Sequence, residues 1–121
     1  MRWVKDPKVE ANLRSLGVKF DVETIPMKSI DREDGMRKQT RLCGKLMDDV
    51  VLRYALAMEA PDSAFPMTIL QREKKRLWPW SGNHRIAAAE LAGVDSLDAY
   101  MIEVFDPVMS DLLPRLVNTW E

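Results

Sequence analysis

The sequence predicts a small α/β (α+β) domain, a mixed sheet of short strands flanked by helices. Three observations point there. Short apolar runs at residues 18–25, 66–70, 77–80 and 97–104 have the length of strands. Stretches with apolar residues at helical spacing lie between and around them. Glycine or proline stands at most of the junctions. The chain has 121 residues, which suffices for one core and is too short for two, so a single domain over residues 1–121 is expected.

In chain order, Asp6-Pro7 reads as a helix cap followed by a first helical residue. Val9, Leu13 and Leu16 follow at helical spacing, and Gly17 supplies the stop. Residues 18–25 set Val18, Phe20 and Val22 against Lys19, Asp21 and Glu23, as a strand does, and Pro26 ends the run. Residues 31–44 are polar and read as a loop. A long helix is expected over 45–59, with Leu46, Val50, Tyr54 and Met58 in one apolar row widened by Met47 and Val51. Residues 66–70 form a strand, the charged residues 71–76 a hairpin turn, and residues 77–80 the return strand. Pro79 in that strand predicts an edge or a bulge. Residues 82–92 form an alanine-rich helix closed by Gly93. Residues 97–104 form the last strand, with Ala99, Met101 and either Ile102 or Val104 inward. From Pro107 the chain is expected to be helical again, with Val108, Leu112 and Leu116 on one row.

Composition narrows the function classes. No apolar run approaches the roughly 18 residues of a membrane span. The N-terminus has no apolar targeting segment. The single Cys43 makes neither an internal disulfide nor a zinc site and reads as a small hydrophobe. A cytoplasmic setting is the expectation, and no metal-ligand set is predicted. The net charge of −1 hides an asymmetry. Residues 1–89 hold 17 Lys/Arg against 12 Asp/Glu, whereas residues 90–121 hold one, Arg115, against seven. The basic part suits phosphate; a solvated mixed surface would look the same.

The chemistry concentrates at Ser81-Gly82-Asn83-His84-Arg85, where a strand runs into a helix. Gly82 permits a tight bend and a close ligand. The first amides of a helix lack intrahelical acceptors and attract anions. Arg85 adds a fork suited to phosphate oxygens, and His84, the only histidine, adds a donor or a titrating proton. A capped helix with solvated Asn83 and Arg85 would carry the same letters.

The wider pattern resembles a known family. It runs from Ile25-Pro26-Met27-Lys28-Ser29-Ile30 through Phe65-Pro66-Met67-Thr68-Ile69-Leu70 to the turn and its helix (Ile86-Ala87-Ala88-Ala89), then Ala92-Gly93-Val94 and Ala99-Tyr100-Met101-Ile102. This order is similar to the ParB N-terminal domain, of the ParB/sulfiredoxin-like fold, over residues 22–104. The resemblance implies phosphate or nucleotide binding (CTP or ATP, with Mg²⁺) at Ser81, Gly82, Asn83, His84 and Arg85. It also implies a DNA-associated regulatory role, as in chromosome or plasmid partition, with DNA as a partner. An edge strand or the acidic C-terminal helix could serve a homodimer, and no seam in the sequence specifies one. Arg37 and Arg41 fall where relatives place an arginine near the site. Trp80, with Trp78, offers either a platform for a base or core packing.

Departures from the pattern limit what carries over. Sulfiredoxin chemistry needs a cysteine thiolate; Asn83 stands at that position, so that activity is rejected. No carboxylate pair accompanies the turn, which ranks a nuclease or phosphotransfer enzyme using His84 below a binding role. A degenerate protein-interaction domain is the remaining alternative. Partition proteins carry a Glu-Asn-x-x-Arg element, of which residues 116–121 keep only Asn118. The chain ends without a helix-turn-helix segment, which predicts a domain cut from a longer protein or a stand-alone relative.

Overall fold

The computed structural model describes residues 1–31, 48–73, 76–80 and 82–103. Ten elements follow one another: β1 (Arg2–Val4), α1 (Pro7–Ser15), β2 (Asp21–Pro26), a 3₁₀ turn (Met27–Ser29), α2 (Asp48–Met58), β3 (Ala64–Pro66), β4 (Thr68–Glu73), β5 (Arg76–Pro79), α3 (Asn83–Leu91) and β6 (Ser96–Glu103). The main sheet has the order β2-β6-β4-β5, and β1 pairs with β3 in a second, two-stranded sheet. β6 runs parallel to β4, while β2–β6 and β4–β5 are antiparallel, so the main sheet is mixed, as the sequence predicts.

Strand β6 shows how the sheet is covered on both faces. Leu97, Ala99 and Met101 alternate with Tyr100 and Ile102, and all five are buried. The odd-numbered set joins Leu70, Ala55, Met58, Ile86 and Ala89 in a core beneath α2 and α3. The even-numbered set joins Ile69, Trp78 and Trp80 against Val9 and Leu13 of α1. Residue alternation of period two thus feeds two cores from one strand.

Several local expectations hold. Asp6 caps α1, accepting from the N–H groups of Lys8 (3.2 Å) and Val9 (3.3 Å). Gly17 and Gly93 follow the ends of α1 and α3. Pro79 lies in β5, an edge strand, where a missing N–H removes no ladder bond.

Others need correction. The charged residues 71–76 are mostly strand: β4 extends to Glu73 and β5 starts at Arg76. Gln71 escapes a polarity-based reading because it is buried and accepts from Trp80 Nε1 at 2.7 Å. The β2 strand begins at Asp21, so Val18 and Phe20 precede it, and Pro26 is its last residue. Its buried residue is Ile25, whereas Val22 is exposed. In α2 the buried positions are Ala55 and Met58 with Val51 packed beside them, while Tyr54 is partly exposed. Met58 and Val51 keep their predicted places, and Ala55, clustered with Ile86 and Ala89 of α3, lies inward where the sequence predicts Tyr54. Strand β1 was not anticipated, because three residues carry too little periodicity to read. The loop over 32–44 with Cys43, the start of the long helix, and the C-terminal helix with Asn118 lie outside the described residues.

Candidate functional site

The strand-to-helix turn is positioned by the β4–β5 pairing. The register sets Leu70 opposite Pro79, and Trp80 N–H donates to Ile69 O at 2.8 Å. One further step along this antiparallel register brings Thr68, the first residue of β4, level with the turn. Trp80 is the last described residue before the turn, and α3 opens at Asn83 with Gly82 as its cap residue.

Gly82 has φ 77° and ψ 24°, a left-handed conformation, and no side chain caps the helix. A Cβ at this position would collide with Thr68 Cγ2 and lie 3.1 Å from Arg85 Nη2. The first intrahelical bond runs from Ile86 N–H to Gly82 O at 2.9 Å. The N–H groups of Asn83, His84 and Arg85 therefore precede it and have no intrahelical acceptor. Their partial positive charge, added to that of the helix dipole, makes this the electropositive end of α3.

The side chains around these amides are buried. Thr68 is 0% exposed, and Asn83 and His84 are each 3% exposed. Among the described residues, Thr68 Oγ1 and Asn83 Oδ1 have no hydrogen-bond partner. A buried polar atom left unpaired costs roughly 1–3 kcal/mol. Two of them at the positive end of α3, where the Gly82 cap residue offers no side chain, mark a place built for something polar. Arg85 is half-buried, and its Nη1 donates to Pro66 O at 2.6 Å. This ties α3 to the β3–β4 junction, with Nη2 beside the Gly82 cradle.

The structure thus brings Gly82, Asn83, His84 and Arg85 together and adds Thr68, which the sequence reading passed over as an ordinary strand residue. Its only signal is a hydroxyl in an otherwise apolar run, Met67-Thr68-Ile69-Leu70. Trp80 and Trp78 are each 1% exposed and belong to the core on the α1 side of the sheet. A base stacks on an open ring face, so Trp80 is a core residue here and not a platform. Ser81, Arg37 and Arg41 lie outside the described residues, as do Lys74 and Lys75 of the hairpin tip.

For Mg²⁺ the fit is partial. Asn83 Oδ1 is a hard oxygen of the kind that cation prefers. Among the described residues no group of three His, Cys, Asp or Glu side chains could cage a metal ion. Mg²⁺ is commonly held by one or two protein oxygens plus substrate phosphates, and only that mode suits these residues. Among them, too, no helix is long and apolar enough to cross a membrane.

Tyr100 anchors the opposite face of the sheet. Its hydroxyl accepts from Asp6 N–H and donates to Glu10 Oε2, both at 2.8 Å. Burial, reinforced by the Glu10 carboxylate, pushes its pKa up to about 12.

Comparison with known proteins bears on this arrangement. No family model matches the sequence, and no curated protein does. Solved structures do match. The C-terminally truncated chromosome-partitioning protein ParB from Caulobacter crescentus, complexed with CTP-gamma-S, superposes with a TM-score of 0.65 at 12% identity, over 84% of this chain and 54% of that one. This chain therefore spans about half the length of that ParB. Sulfiredoxin from Arabidopsis thaliana superposes with a TM-score of 0.57 at 14% identity, over 77% of this chain and 97% of that one. With two neighbours of one fold matched along most of its length, the chain has the ParB/sulfiredoxin-like fold.

Proposed function

We propose that this chain is a ParB-like nucleotide-binding domain with a DNA-associated regulatory role, and that it holds ligand phosphates at residues 82–85. The observation that carries the reading is the pair of buried side chains at the start of α3, Thr68 and Asn83, whose Oγ1 and Oδ1 have no partner among the described residues. They stand at the positive end of the helix dipole, where Gly82 brings no capping side chain. The Gly82 cradle lets an anion approach the backbone where any side chain would collide with Thr68. Arg85 supplies the full positive charge, His84 a further polar group, and Ser81, Arg37 and Arg41 are accessory candidates. The CTP analogue bound by the ParB neighbour favours a nucleoside triphosphate, CTP before ATP, over an isolated phosphate. Mg²⁺ would arrive with the phosphates and meet Asn83 Oδ1. The excess of basic residues over positions 1–89 supports DNA as the macromolecular partner.

Calorimetric titration with CTP, ATP and a short DNA duplex, each with Mg²⁺, tests the reading. Saturable binding of one nucleotide, lost in Arg85→Ala, is expected. The Arg85→Ala melting temperature is measured alongside, because that variant also loses the clamp on Pro66 O. Absence of binding to every ligand would remove the nucleotide role.

A further inference from the structure

Thr68 lies outside the turn in sequence, yet its side chain is the nearest neighbour of the Gly82 cradle. Its Cβ comes within 3.2 Å of the place a Gly82 Cβ would take. The residue is wholly buried, on the first position of β4, and pairs with Ala99 across the parallel ladder. Its immediate neighbours Met67, Ile69 and Leu70 are apolar and buried. Among the described residues nothing accepts from or donates to Oγ1. Valine has the same shape and is at least as good a strand former, so neither packing nor strand formation calls for the hydroxyl. Asn83 Oδ1, also without a partner among the described residues, is an acceptor and cannot bond an anion, whereas a threonine hydroxyl can donate to one.

We infer that Thr68 is a ligand-binding residue of the 82–85 site, its hydroxyl donating to a phosphate oxygen held over the start of α3. This rests on the phosphate-binding reading of the turn and adds to it a contact from β4. The backbone amides and Arg85 then reach the anion from the helix side, and Thr68 reaches it from the strand side. The ligand class is one whose oxygens can accept from both sides at once, as a polyphosphate does. The price of the contact is an unpaired buried hydroxyl in the free protein.

That price gives the test its two readouts. Thr68→Val keeps the shape and removes the hydroxyl, so the free protein should melt about 2–6 °C higher. The same variant should bind CTP·Mg²⁺, ATP·Mg²⁺ or inorganic pyrophosphate, whichever the wild type prefers, roughly fivefold to tenfold more weakly by calorimetry. Thr68→Ser, which restores the hydroxyl, should recover most of the affinity. If wild type and Thr68→Val bind equally well, the inference is overturned while the turn remains a phosphate site. If the wild type binds none of the three, the reading of the turn fails, and the Thr68 contact with it.

Discussion

Gly82 shows how one residue sets the site. A left-handed backbone costs a residue with a Cβ about 1–2 kcal/mol, before the collision with Thr68 is counted. Gly82→Ala is therefore expected to lower stability by about 2 kcal/mol or more in chemical denaturation, and to weaken phosphate binding by displacing the turn. Gln71 plays the matching role in the core. Replacing it with leucine strands the buried Trp80 indole N–H, at a cost of roughly 1–3 kcal/mol in the same assay. Tyr100 gives a pH signature. Its folded pKa of about 12 exceeds the ordinary value of 10, so the folded state holds the phenolic proton more tightly. The resulting stabilisation is fully present below pH 10 and is lost as pH rises toward 12. Stability of the wild type should fall more steeply over that range than that of Tyr100→Phe, by on the order of 2 kcal/mol in total.

At the scale of elements, the Asp6 cap of α1 should be worth about 1 kcal/mol, measured as the loss of stability in Asp6→Ala. Caps, stops and the alanine-rich α3 were legible in the sequence because each depends on residues adjacent along the chain. Errors arose where distant residues decide. Gln71, Arg72 and Glu73 look like a turn by charge, but Trp80 buries the first and Glu23 of β2 takes the guanidinium of the second in two bonds of 2.9 and 3.2 Å. That ion pair lowers the Glu23 pKa through its hydrogen bonds to Arg72. Both side chains are about a third exposed, so it guides register more than it stabilises. The predicted face of α2 is right at Met58 and Val51 and not at Tyr54: periodicity offers neighbouring rows, and Ala55, clustered with Ile86 and Ala89 of α3, takes the inner one. The part of the site on α3 could be read from Gly82 to Arg85. Thr68 could not, because only the β4–β5 register puts it there.

For the whole molecule, the central strand β6 explains why so small a chain keeps two cores. Both of its faces are covered, by α2 and α3 on one side and by α1 on the other. The start of α3 lies where the chain leaves β5 on its crossover to β6, which sets that helix end against the first residue of β4. The fold is shared with a ParB complexed with a CTP analogue and with a sulfiredoxin. At its strand-to-helix turn this chain places the buried side chains of Asn83 and Thr68, whose Oδ1 and Oγ1 have no partner among the described residues.

The central claim is that the first amides of α3 hold phosphate, and amide NMR measures those groups one by one. On titration of the ¹⁵N-labelled protein with CTP·Mg²⁺, the N–H resonances of Asn83, His84 and Arg85 should shift downfield and saturate together, ahead of those in α1. Saturable shifts elsewhere with these three unmoved, or no shifts at all, would contradict the account.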